Sequence, residues 1–263
     1  HQMLDKLNQY RQNFAFPFHK KSAAGAAYKF EWIEDLQGLQ EAQRFRTAQF
    51  SQQFGIQFEA GLDQDLYDFS CEHAVLRDKW SNEIVAYTRL KLFQGHELYQ
   101  SYSHQEFKIA DELGHLENIV EIGRTCVHPR CRSGKALSVL WLNLLPKVIL
   151  EMRAKHLIGC VSIRLQGNEA RAYYTHQRMQ ALPEHARCGI QAQRAFEPPY
   201  PQYSLQQDER IPKLFDVYLK MQAQLSQQAF YDEEFNCLDY FVYLEVGQLA
   251  KNFILQKKMM ANA

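Results

Sequence analysis

Net charge is absent from this chain: 30 basic residues cancel 30 acidic ones over 263 positions, and the isoelectric point falls near 7.3. The global pull toward polyanions expected of a nucleic-acid binder is therefore missing, and only a local basic patch could supply it. Paired cysteines are missing too. Cys71, Cys126, Cys131, Cys160, Cys188 and Cys237 are scattered without a C-x-x-C pair and sit mostly in apolar stretches. That suits reduced, buried thiols in a cytoplasmic compartment better than a disulfide framework. Cys126, His128 and Cys131 fit no common zinc spacing and lack a fourth ligand, so we expect no metal.

Other absences narrow the field further. The most apolar run, LSVLWLNLLPKVIL, is too short and too interrupted to span a bilayer. We expect a soluble cytoplasmic protein, with peripheral contact at the inner-membrane surface left open. There is no G-x-S-x-G and no H-E-x-x-H, which removes the commonest serine-hydrolase and zinc-protease signatures. No secretory leader is expected, and His1-Gln2 ahead of Met3 reads as an appended remnant. Repeats and low-complexity tracts are also lacking. The strongest break is EPPYPQY at 197–203. We therefore divide the chain into an extension over 1–25, one domain over 26–246 with a C-terminal subregion from about 204, and a tail over 247–263.

What is present is core-forming residue: 46% of the chain is hydrophobic and 13% aromatic, enough to bury a substantial interior. AAYKFEWI (26–33) alternates like a strand, and EDLQGLQEAQRFRTAQFSQQFG carries apolar residues at helical spacing with Gly55 to close it. CEHAVLRD and EIVAYTRLKLF, joined by KWSN, read as a hairpin. NIVEIGRTCV is a further strand, ended by His128-Pro129. From Gly134 the period changes: Leu137, Leu140, Trp141, Leu144, Leu145 and Val148 share one helix face, and Pro146 should kink or split that helix. HLIGCVSI reads as a buried strand, NEARAYYTHQRM as a helix, RCGIQAQRAF as a strand, DERIPKLFDVYLKMQ as a helix and CLDYFVYLEV as a last strand. The order predicts a mixed α/β sheet, antiparallel early, with a β-α-β crossover in the middle.

Three clusters could carry chemistry. The crossover loop HPRCRSGKA sets Arg130, Arg132 and Lys135 around Gly134 at a helix start, where backbone N–H groups and positive charge suit a phosphate. A solvated basic turn would look the same. The strand before it carries Glu121 and Arg124, which regular alternation points to opposite faces unless a bulge intervenes. A structural ion pair with other partners is the bland alternative. In GLDQDLYDFSCEHAVLRD, Asp63, Asp65 and Asp68 precede a strand holding His73. The carboxylates could hold a cationic amine or a metal, though not as an EF-hand, or serve as loop caps, with Arg46 and Arg89 as counter-ions.

Taken in order, AQRFRTAQFSQQFG, GLDQDLYDFSCEHAVLRD, YTRL, EIGRTCVHPRCRSGKALSVLW and LIGCVSI resemble the ornithine-lipid N-acyltransferases. These are GNAT-fold relatives of long-chain N-acyl amino acid synthases and, more distantly, of autoinducer synthases. IPKLFDVYLKMQ and YDEEFNCLDYFVYLEV resemble the family's closing pattern, so the likeness runs from about residue 30 to 246. The resemblance implies a GNAT-like, largely antiparallel central sheet flanked by helices, with a splayed central strand pair. It implies transfer of a long-chain acyl group, with or without a 3-hydroxyl, from acyl carrier protein to the α-amine of an amino acid such as ornithine. The acyl-phosphopantetheine (or acyl-CoA) is then a co-substrate, no cofactor is bound permanently, and no nucleic acid is a partner. By the same resemblance Glu121 is the general base. Arg46, Phe50, Asp63, Asp65, Asp68, His73, Arg89 and Arg124 match the family's pattern and would serve the acceptor or a structural charge network. Cys126, Val127, Arg132, Ser133, Gly134, Lys135 and Ala136 would hold the donor arm, with an N–H near Val127 facing the oxyanion. Cys131 stands where the wider GNAT loop has Gln or Arg. Autoinducer synthesis and non-catalytic binding of an acyl carrier protein or lipid are the competing readings.

Overall fold

A computed structural model describes residues 27–132, 134–199, 210–249 and 251. In it the chain forms two compact units interleaved along the sequence. The first takes the described residues up to Ser51, then Gln57–Lys91 and Ile122–Ala154. The second takes Gln52–Ile56, Leu92–Glu121 and the described residues from Lys155 onward. The expected extension over 1–25, Ser133, the start of the C-terminal subregion and most of the tail lie outside the described residues.

The first unit is built on strands β1 (Tyr28–Trp32), β2 (Glu72–Asp78), most of β3 (Ile84–Phe93) and the second half of β4 (Ile119–Val127). They lie in the order β1-β2-β3-β4, with the β1–β2 and β2–β3 pairs antiparallel. The expected hairpin closes because Asp78 Oδ1 accepts from the N–H groups of Trp80 and Ser81 while Asn82 adopts a φ of 60°. Asn tolerates that left-handed geometry better than most residues. Helix α1 (Leu36–Phe54) starts where Asp35 accepts the Gly38 N–H at 2.7 Å and stops at Gly55, whose φ is 71°. Within this unit it buries Ala42, Gln43, Arg46, Gln49 and Phe50. This face is half polar, which explains its weak apolar periodicity.

Strand β4 feeds α4 through a short turn at Pro129–Cys131; Gly134, at φ 94°, caps α4 (Lys135–Pro146). At Pro146 the hydrogen-bond pattern changes. The α turns end there and a single π turn, Lys147–Glu151, carries the chain on. Proline lacks the N–H an α turn would use, and a wider turn accommodates that loss.

In the second unit β5 (His156–Arg164) pairs along its whole length with β9 (Cys237–Glu245), antiparallel. β7 (Gln224–Ser226) and β8 (Phe230–Asp232) also pair β9 antiparallel, and β6 (Arg187–Cys188) joins β7 in parallel. One face carries Val161, Ile163, Leu238 and Tyr240 under α5 (Glu169–Gln180) and α6 (Lys213–Lys220). The other carries Ile158 and Phe241 beneath two short helices, α2 (Tyr102–Glu106) and α3 (Ile109–Leu113).

RCGIQAQRAF differs from expectation. Only Arg187–Cys188 form a strand, and Ala192 and Ala195 make single bridges to Phe107 and Phe230. Its few β-formers are spent on core contacts of Cys188, Ile190 and Ala192 rather than on a continuous ladder.

Gly95 fixes the loop under α2. Its N–H donates to Leu116 O at 2.8 Å, and a Cβ there would overlap the carbonyl oxygens of Gly114 and Leu116. Backbone cannot yield as a flexible side chain does, so Gly95→Ala should cost more than about 2 kcal/mol. Urea unfolding monitored by circular dichroism reads this directly.

Candidate functional site

The first unit gathers three arginines and three aspartates from α1, the loop after it, β3 and β4. Arg46, fully buried on α1, donates from Nε to Asp63 Oδ2 at 3.0 Å and from Nη1 to Asp68 Oδ1 at 2.6 Å. It also reaches the Tyr87 hydroxyl and the Asp63 carbonyl at 3.1 and 2.7 Å. Arg89, on β3, clamps Asp65 at 2.6 and 2.9 Å and reaches Asp68 at 2.7 Å. Arg124, on β4, lies 3.3 Å from Asp65 Oδ2 and 3.5 Å from Asp63 Oδ2. Three cations meet three anions.

Local geometry makes this possible. Asp65 and Asp68 form a reciprocal capping box around the turn Leu66–Phe69, so both carboxylates are fixed before any arginine arrives. Arg124 sits at φ 53°, a left-handed residue inside a strand. The irregularity interrupts the alternation that would have separated it from its partners. Tyr87, two residues before Arg89 on β3, shares that residue's face and enters the network. Its spacing from Arg89 was the available signal, and a sequence reading passes over it because tyrosine in a strand is ordinary.

The electrostatics follow from burial. Desolvation works against charge on Arg46, yet Tyr87, Asp68 and Asp63 outweigh it and hold the guanidinium protonated. Burial likewise pushes Asp68 up, and the Arg46 hydrogen bond, Gln43 and Arg89 bring it below the usual carboxylate range. Asp65 ends low for the same reason, through Arg89 and Arg124. Burial lowers the His73 pKa. Its Nε2 faces the Asp68 carbonyl at 2.8 Å, which can only accept, so Nε2 carries the proton. Nδ1 then accepts from Tyr87 at 2.6 Å. His73 is a neutral strut. With every aspartate matched by an arginine, the cluster reads as a structural charge network, and a cationic substrate gains little there.

Glu121 belongs to the second unit and is 8% exposed. Its carboxylate accepts from the backbone N–H groups of Tyr102 at 3.2 Å and Ser103 at 2.8 Å, satisfying the first turn of α2. The sequence gives no sign of this cap, because its donors lie 18 and 19 residues away.

At the crossover, Arg132 folds back so that Nε donates to Val127 O at 3.0 Å, and Arg130 pairs with Glu83 on the surface at 3.2 Å. Gly134 and Lys135 begin α4, and Ala136 is buried behind them. Ser138 Oγ donates to Gly134 O at 2.8 Å, fixing the first turn. Cys126 is buried, which pushes its thiol well up and marks it as packing rather than nucleophile.

Comparison with known proteins bears on this arrangement. Residues 45–142 match the family described as an acetyltransferase (GNAT) domain. The chain is 27% identical over 251 residues to the L-ornithine N(alpha)-acyltransferase of Rhodobacter capsulatus, covering 88% of this chain and 94% of that protein. It is 27% identical over 207 residues to the L-ornithine N(alpha)-acyltransferase of Agrobacterium fabrum, covering 73% and 70%. The solved structure of FeeM, an N-acyl amino acid synthase from uncultured soil microbes, superposes with a TM-score of 0.49 at 11% identity, over 84% and 92% of the two chains. The matched segment carries Arg46, the aspartate loop, Glu121, Arg124 and the start of α4, and over it the fold is that of a GNAT domain.

Proposed function

We propose that this N-acyltransferase moves a long-chain fatty acyl group, with or without a 3-hydroxyl, from acyl carrier protein to the α-amine of an amino acid such as ornithine. The observation that carries the reading is the crossover. β4 ends at Val127, and the chain turns through Pro129–Cys131 into a helix whose opening N–H groups follow a left-handed Gly134. Such a start favours an anion, and the phosphate of a pantetheine arm is one. The similarity to L-ornithine N(alpha)-acyltransferases supports the choice of reaction and acceptor.

The chemistry asks little of a nucleophilic side chain. The acceptor's free amine attacks the thioester carbonyl, the C–N bond forms, and the C–S bond then breaks, the sulfur leaving as a thiol with the proton that the attacking nitrogen gives up. Glu121, held in place by its two amide partners, takes the ammonium proton, through a water if needed. A backbone N–H near Val127 faces the developing oxyanion, worth about 3 kcal/mol where such a donor is pre-placed. Arg132 and Lys135 attract the acidic carrier protein, while Arg130 spends its charge on Glu83. No helix among the described residues is long and apolar enough to cross a membrane. The product brings its own reason to meet one: each buried CH2 contributes about 0.8 kcal/mol. On this proposal the enzyme works from the cytoplasm at the inner-membrane surface.

The test is product identity. A 3-hydroxyacyl carrier protein incubated with the enzyme and a panel of amino acids should yield an N-acylated ornithine by mass spectrometry. Donors without the carrier protein should serve poorly. Product from acyl-CoA alone would move the donor assignment, and none from any pair would end the transferase reading. Charge reversal of Arg132 and Lys135 together should raise the Michaelis constant for the carrier protein, more at low salt than at high. Identical kinetics would remove the docking assignment.

A further inference from the structure

The aspartate cluster of the first unit is neutralised, so a cationic acceptor needs another anionic site, and the second unit holds one. Glu106, at the end of α2, is 3% exposed, as is Asp239 on β9. The two carboxyl groups meet by hydrogen bond, and Asp232 adds a third negative charge nearby. No arginine or lysine among the described residues pairs with any of them. Glu106 Oε2 is buried without a hydrogen-bond partner. An unmatched buried carboxylate oxygen is costly unless something satisfies it.

The surroundings say what kind of ligand fits. Asp239 Oδ1 already accepts from the Ser162 hydroxyl and from the Cys237 thiol, the latter at 3.2 Å. Asp239 is therefore the ionised partner and Glu106 the protonated one, a single proton standing in for a cation. Burial and neighbouring carboxylates hold the Cys237 thiol well above its ordinary range. Although Asp232, Cys237 and Asp239 have ligand atoms within 4.8 Å of one another, the thiolate a soft metal needs is disfavoured. An ammonium, with N–H donors only, suits carboxylate oxygens in want of donors.

The connection to Glu121 gives the acceptor its length. Ser103, whose N–H binds Glu121, accepts through Oγ from Cys160 Sγ at 3.7 Å, and Cys160 also contacts Glu106. Glu121 caps the first turn of α2 and Glu106 ends it, so the two residues flank one short helix, Tyr102–Glu106, with a rise of about 7 Å. A three-carbon diamino acid chain covers this span. We infer that Glu106 and Asp239 form the pocket for the side-chain ammonium of a diamino acid acceptor whose α-amine is presented to Glu121. This deepens the acyl-transfer reading and rests on it.

The experiment compares L-ornithine with L-norvaline, which has the same length and no terminal ammonium. Calorimetric titration of the full chain without donor should show ornithine binding roughly tenfold or more tightly than norvaline. The same ratio should appear in kcat/KM under turnover. Glu106→Gln and Asp239→Asn, each with native circular dichroism, should erase the preference for ornithine over norvaline. Equal treatment of the two amino acids by the unmodified enzyme overturns the pocket and leaves acyl transfer standing; so does a stoichiometric divalent metal on the purified protein by plasma emission. Neither binding nor turnover with both amino acids overturns the pocket and the acyl-transfer reading together.

Discussion

Arg46→Met should destabilise the protein by about 3–5 kcal/mol, the usual loss when one partner of a buried ion pair is removed. A chain of this size then loses about 10 °C or more in its thermal midpoint. Methionine fills much of the same volume, so the effect comes from charge. Asp63 keeps Arg124, Asp68 keeps Arg89, Gln43 and the Asp65 N–H, and Tyr87 loses a donor to its hydroxyl. Adding Asp68→Asn should return part of the loss, because one of the stranded charges is then gone. A midpoint within about 2 °C of the parent, roughly 0.5–1 kcal/mol, would show that the network is not a structural keystone.

Glu121→Gln should lower kcat by about 100-fold or more at neutral pH, within the range general-base catalysis supplies. The same change also disturbs the α2 cap, since the Gln amide turns one acceptor oxygen into a donor facing the N–H of Tyr102 or Ser103. The pH profile separates the two effects. Without its base the variant depends on amine already deprotonated, so its rate should climb steadily with pH while the parent levels off. A damaged cap alone lowers the rate by the same factor at every pH. Near-parental turnover at neutral pH would take the base role from Glu121.

Much of this was readable in advance where physics is local. The Asp63, Asp65 and Asp68 loop and its counter-ions Arg46 and Arg89 stand together as residue type and spacing suggest. The hairpin turn, the cap of α1 and the start of α4 follow from side chains within a few residues of one another. What stayed hidden depends on chain partners far away. Arg124 joins the network only through a left-handed backbone that no periodicity announces. β7 and β8 are three residues each and exist because β9 offers an edge. Glu106 and Asp239 are 133 positions apart, and only the pairing of β9 with β5 and its cover by α2 brings them together. An aspartate inside the apolar strand CLDYFVYLEV was the one visible hint.

The direct test of the whole account is thiol release, followed with a chromogenic disulfide reagent. Purified enzyme and 3-hydroxyacyl carrier protein should liberate holo-carrier thiol only once ornithine is added, in step with N-acylated product. Thiol appearing at the same rate without any amine, or none appearing with every amine tried, would contradict direct aminolysis of the thioester.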